Sequence, residues 1–147
     1  LKSNNEIVSG LIYDPIKDEM FYAEKDNGAF FNNQRIKVSK KKDIEGCLFG
    51  TGGKEKIEVD LITRKSGSAA LDMAYVAAGR YDGYFQNNLN LWDIAAGVVI
   101  VKEAGGIVTD WDNNKLCSSG IRILADNGKI HDEMVRVLSS EKYKIFF

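Results

Sequence analysis

The sequence predicts a mixed fold of the α/β class, with α+β layering: antiparallel strands first, then a mixed sheet with flanking helices. Three observations predict it. Residues 6–39 alternate short β-branched and aromatic runs with turn residues. From residue 64 onward, helical stretches of small and apolar residues alternate with strand-like runs. The composition is 44% apolar, with no internal repeat and no low-complexity tract, which suits one packed region with a core of its own.

Within the first part, EIVSGLIYD (6–14), EMFYAEK (19–25), GAFFN (28–32) and RIKVS (35–39) read as four strands of a meander. Asp14-Pro15, Asp26-Asn27-Gly28 and Asn32-Asn33-Gln34 separate them with good turn chemistry, since proline presets φ and Asn or Gly tolerates the left-handed region. The basic run KVSKKKD (37–43) reads as a solvated loop. After CLFGTGG (47–53) comes a charged link, KEKIEVDLITRK (54–65), to which no element is assigned.

SGSAALDMAYVAAGR (66–80) is rich in strong helix formers, with Ser66 or Ser68 available as the cap and Gly79 as the stop. YDGYFQ (81–86) reads as a strand, and 92–104 as a helix closed by Gly105-Gly106. The apolar character of Trp92, Ile94, Val98, Val99 and Val101 predicts that this helix is buried. IVTDW (107–111) and IRILAD (121–126) follow as strands, then a helix at about 128–139 with Ile130, Met134, Val137 and Leu138 on one side. His131, the only histidine, is expected on the polar, exposed side of that last helix.

Charge and cysteine usage exclude several function classes. Net charge is −1, from 20 basic and 21 acidic residues, so there is no basic field for nucleic acid or a membrane surface. Cys47 and Cys117 have no C-x-x-C partner, and read as reduced thiols rather than a zinc site. No window reaches transmembrane length and the start has no signal-peptide design, so a cytoplasmic protein is expected.

Two helix starts could carry chemistry. At SGSAA (66–70) the first-turn N–H groups lack partners, the dipole favours negative charge, and small residues admit a ligand; a plain capped helix explains the same letters. Asp93 stands in the first turn of the buried helix. It serves either as a cap or as a ligand for a hard cation such as Mg²⁺, which takes one or two carboxylates, waters and phosphate oxygens.

The motifs resemble a known family. WDIAAGVVIVKEAGG (92–106) is similar to the C-terminal signature of the inositol monophosphatase family, W-D-x-A-A-G followed by E-A-G-G. GLIYDPIKDEMFYAEKDNGAFFNNQRIKVS (10–39) resembles that family's D-P–led strand segment, with Asn27-Gly28 where the family has G-x-G. RKSGSAALDMAYVAAGRYDGYFQ (64–86) resembles the helix and strand that precede its W-D motif.

The resemblance implies a layered sugar-phosphatase fold and Mg²⁺-dependent hydrolysis of a polyol phosphate, commonly myo-inositol 1-phosphate, in a cytoplasmic homodimer. It implies that Asp93 is a metal ligand that also reaches a substrate hydroxyl. It places Gly67, Ser68 and Ala69 at the polyol-contacting helix start, Gln86 at a substrate-contacting position, and Thr51 beside the same pocket. Fructose 1,6-bisphosphate or a nucleotide phosphate is the alternative substrate; a non-catalytic interaction module is the alternative role.

Three departures from the family pattern matter. The upstream glutamates and the D-P-[IL]-D-G-T motif that supply most metal ligands do not occur in these residues, so the chain corresponds to the second part of the family fold. Residues 1–40 would end the first sheet, and 41–147 would form the second α/β region. A chain of this extent is expected to lack phosphatase activity alone and to self-associate through open sheet edges. The segment from Thr51 to Arg64 is shorter than usual, and position 86 is Gln where many members have Glu.

Overall fold

The computed structural model describes residues 1–54, 57 and 59–141. Two very short strands open it, β1 (Lys2–Ser3) and β2 (Glu6–Ile7), paired around Asn4 and Asn5, which both take positive φ. The predicted meander follows as β3 (Ser9–Asp14), β4 (Glu19–Glu24), β5 (Gly28–Phe31) and β6 (Gln34–Ile36), a sequential antiparallel sheet. Alternation sorts its faces: Ile12, Phe21, Ala23 and Ala29 are buried, while Leu11 and Tyr13 stay exposed.

The second sheet is mixed. Its strands are β7 (Leu48–Gly50), β8 (Ile62–Arg64), β9 (Gly83–Leu89), β10 (Ile107–Asp110) and β11 (Ile121–Asp126), in the order β10-β11-β9-β7-β8. The β7–β8 and β7–β9 pairs are parallel and the rest antiparallel. Strand β8 lies inside the charged link, where the sequence predicts no element. Glu55, Lys56 and Glu58 of that link lie outside the described residues.

Helices α1 (Ala69–Ala77) and α2 (Leu91–Glu103) lie between the two sheets, and α3 (His131–Glu141) covers the far face of the second. Strand alternation builds both cores. Tyr84, Ile123 and Ala125 join α1, α2 and the first sheet, whereas Phe85 and Leu124 join Trp111, Ile130, Met134 and Leu138 beneath α3. A helix packed between two sheets is buried on most sides, which is why Ile94 and Val98 to Val101 read as a nearly unbroken apolar run. Two glycines allow the close approach. A Cβ on Gly10 would stand 2.7 Å from the Ala96 backbone, and one on Gly97 2.7 Å from Met73 Cβ.

Two burial expectations are overturned. Trp92 is 81% exposed, while Leu91 and Ile94 of the same turn face the core, so Trp92 lies on the open side of the helix. His131 is 4% exposed. The last helix starts three residues later than predicted, because Asn127 Oδ1 accepts the N–H groups of Lys129 and Ile130 and Gly128 takes φ +79°. That turn aims the histidine inward, with Nδ1 2.7 Å from Asp126 Oδ2 and Nε2 3.2 Å from Thr109 Oγ1. The basic run is solvated apart from half-buried Val38 and Ser39, and the exposed Lys41 reaches in to pair its ammonium at 3.0 Å with the buried Asp82. Among the described residues no helix is long and apolar enough to cross a membrane.

Candidate functional site

Helix α1 begins after Ser68, whose backbone is extended and whose Oγ accepts the Leu71 N–H at 3.2 Å. Ser66 supports the turn instead of capping: its Oγ accepts the Ser68 N–H at 3.1 Å. Between them Gly67 takes φ +86°, and a Cβ there would meet nothing within 4 Å, so the turn faces open space.

Helix α2 begins after Asn90, and Asp93 Oδ2 accepts the Asn90 N–H at 2.9 Å. Asp93 is therefore a cap, as its position alone suggested, and it is only half-buried. Strand β9 carries Gln86, whose Oε1 accepts the Tyr84 hydroxyl at 2.6 Å. Gly52, just after β7, lies against the same amide, in contact with Oε1 where a Cβ would stand.

These three elements converge on one pocket of about 220 Å³, lined by Gly52, Gly67, Ser68, Ala69, Asp72, Gln86, Leu89 and Asp93. Gly67, Ser68, Ala69, Gln86 and Asp93 were singled out from the sequence, and all five face this space. Thr51 does not. It is buried and lines a neighbouring cavity of about 450 Å³ with Ile57, Val59, Leu61, Thr63 and Phe85. Its neighbour Gly52, in the loop that follows β7, lines the pocket in its place.

Sequence reasoning passed over Asp72. A signal was present: it is the one charged residue in the small, apolar run from Ala69 to Ala78. Its carboxyl is 1% exposed, and burial pushes it up to about 6, against a smaller opposing effect of the Ser66 hydroxyl.

The donor set bears on a metal. Asp93, half-exposed at a pocket, suits a hard cation as one carboxylate among waters and phosphate oxygens. Among the described residues, no group of three or more His, Cys, Asp or Glu side chains is placed to hold a metal. Asp93 is thus a single carboxylate at the pocket, with no assembled metal site around it among the described residues.

Comparison with known proteins finds relatives over most of this chain. A fructose-1,6-bisphosphatase/inositol-1-monophosphatase of Thermotoga maritima is 43% identical over 145 residues, covering 92% of this chain and 57% of the relative. Nus factor SuhB of Xylella fastidiosa is 35% identical over 164 residues, covering 97% of this chain and 60% of the relative. The crystal structure of the extragenic suppressor protein suhB from Bartonella henselae superposes with a TM-score of 0.88 at 44% identity, over 94% of this chain and 61% of that one. The chain therefore spans less than two thirds of the length of these relatives. The inositol monophosphatase family profile matches residues 1–143, and the chain belongs to the inositol monophosphatase family.

Proposed function

We propose that this chain forms the substrate-binding side of a Mg²⁺-dependent phosphomonoesterase that hydrolyses inositol 1-phosphate, in a cytoplasmic homodimer whose remaining metal ligands lie outside these residues. The pocket that gathers Gly67, Ser68, Ala69, Gln86 and Asp93 carries the reading. With Ser68 Oγ accepting from Leu71, its own O–H is left to donate to a ligand, and the Ala69 N–H has no partner within the helix. The positive end of α1 then favours the anionic ester over the neutral product. Gln86 presents an amide whose Oε1 is held by Tyr84, leaving its N–H groups toward ligand hydroxyls.

Asp93 would hold the metal through Oδ1 while Asn90 fixes Oδ2, so the cap positions the carboxylate instead of competing for it. Mg²⁺, when bound, supplies an activated water and stabilises the leaving alkoxide. One carboxylate cannot assemble such a centre, so residues 1–147 alone release no phosphate. The test is Mg²⁺-dependent phosphate release from inositol 1-phosphate, fructose 1,6-bisphosphate and a nucleoside monophosphate. It is run on the longest polypeptide that contains residues 1–147 and on those residues alone. No release by the longer polypeptide overturns the hydrolase reading, and release by the 147 residues overturns the division of labour.

A second reading, an interaction module without catalysis, is favoured by the name Nus factor carried by the Xylella relative. It predicts a longer polypeptide that is folded and releases phosphate from none of the three esters.

A further inference from the structure

Asp72 sits where a structural residue would be satisfied, and it is not. It belongs to the first turn of α1, is 1% exposed, and its Oδ1 makes no hydrogen bond among the described residues. Buried carboxylate oxygens are ordinarily paired with donors or cations. Here Gly50 and the Tyr81 ring pack close by: a Cβ on Gly50 would stand 3.0 Å from both Asp72 Cγ and Tyr81 Cδ2. Neither donates a hydrogen bond to that oxygen, and the Ser66 hydroxyl offsets only part of the effect of burial on the carboxyl.

Two other acceptor atoms on the pocket wall are already engaged within the protein. Asp93 Oδ2 takes the Asn90 N–H and Gln86 Oε1 takes the Tyr84 hydroxyl. Asp72 shares the wall with them, and its neighbours there include Gly52, Gly67 and Ala69, which have little or no side chain to obstruct a ligand.

Resting on the reading of this pocket as a polyol phosphate site, we propose that Asp72 is a further specificity-determining residue, whose unpartnered Oδ1 accepts a hydrogen bond from a ligand hydroxyl. A site built around such an acceptor rejects a phosphomonoester that brings no hydroxyl, because the oxygen is then left buried and unpaired.

The test compares equilibrium binding of myo-inositol 1-phosphate and phenyl phosphate to the longest polypeptide that contains residues 1–147. Wild-type protein prefers inositol 1-phosphate. Asp72→Leu, which replaces the carboxyl by an apolar group of similar size, lowers that preference about tenfold. Should the leucine variant fail to fold, Asp72→Asn is read by the same ratio and lowers it about threefold, since the amide keeps one acceptor.

A preference that survives in the folded variant, equal losses for both ligands, or a wild type without preference overturns the inference. Phosphate release by a wild type whose preference Asp72→Leu leaves intact overturns this inference and spares the hydrolase reading. A preference that falls in a protein releasing no phosphate does the reverse.

Discussion

Asp93 Oδ2 accepts the backbone N–H of Asn90 at 2.9 Å, so the carboxylate proposed to hold a metal also closes the start of its own helix. The two roles separate by substitution. Asp93→Asn keeps an oxygen for the Asn90 N–H and should cost about 0.5–1 kcal/mol of stability, chiefly from the lost charge at the helix start. As a metal ligand it is far less replaceable, since a neutral amide binds a hard cation poorly. Phosphate release by the longer polypeptide should fall about a hundredfold or more with folding intact. Activity within a fewfold of wild type would remove Asp93 from the metal site.

Asp72 predicts an unusual pH dependence. Its folded-state pKa of about 6 lies above the ordinary carboxyl value of 3.8, so the fold favours the neutral acid. This group's contribution is harmless below pH 4, grows more unfavourable as pH rises toward 6, and levels off above that. The full difference is roughly 2–3 kcal/mol. Urea unfolding of wild type and Asp72→Asn at pH 4 and pH 8 checks it: the variant should gain relative stability by about that amount at the higher pH. A relative stability independent of pH would show that the carboxyl is not burdened by burial.

His131 and Asp126 form a buried pair at 2.7 Å, with Thr109 Oγ1 and Asn113 Oδ1 within 3.2 and 3.1 Å of the other ring nitrogen. The cluster ties the start of α3 to strands β10 and β11. His131→Ala removes the buried hydrogen bond to Asp126 and the part-buried contacts of the other ring nitrogen and leaves the Asp126 carboxylate short of a partner, so it should cost about 2–3 kcal/mol. Its effect should fall on global unfolding rather than on ligand binding, because none of these residues lines the pocket. Loss of inositol 1-phosphate binding in a fully folded His131→Ala protein would contradict that separation.

What the sequence disclosed follows from how each element is buried. Helix α2 was legible because packing between two sheets demands apolar residues almost all round, and β11 because IRILAD is buried nearly throughout. Strand β8 was not: an edge strand with Ile62 and Arg64 exposed carries no periodic signal, and its parallel partner β7 is distant in sequence. Trp92 misled because an apolar letter cannot say which side of a helix start is covered: Leu91 and Ile94 of the same turn face the core and Trp92 does not. At the site, helix starts and carboxylates were visible letter by letter, but their convergence depends on β7, β9 and the two helices meeting, which only topology supplies. Thr51 and Gly52 differ by one residue, and the path of the loop after β7 decides which of them faces the pocket.

Gly97 sets the distance between α1 and α2, and the prediction there turns on which of two effects is larger. Glycine within a helix costs about 1 kcal/mol relative to alanine, so Gly97→Ala would stabilise an isolated α2. In the fold a Cβ at this position would stand 2.7 Å from both Met73 Cβ and Sδ. Overpacking of this kind costs about 1–3 kcal/mol, and Met73 is fully buried with little room to retreat. The clash should therefore win, leaving Gly97→Ala less stable by about 1 kcal/mol. Met73→Ala alone should cost about 2–3 kcal/mol through the cavity it opens. Combined with Gly97→Ala it should cost less than the sum, because the new methyl enters the vacated space and the helix propensity gain is recovered. Chemical unfolding of the two single variants and the double variant measures that coupling. Simple additivity would mean that the two helices are not held apart by this contact.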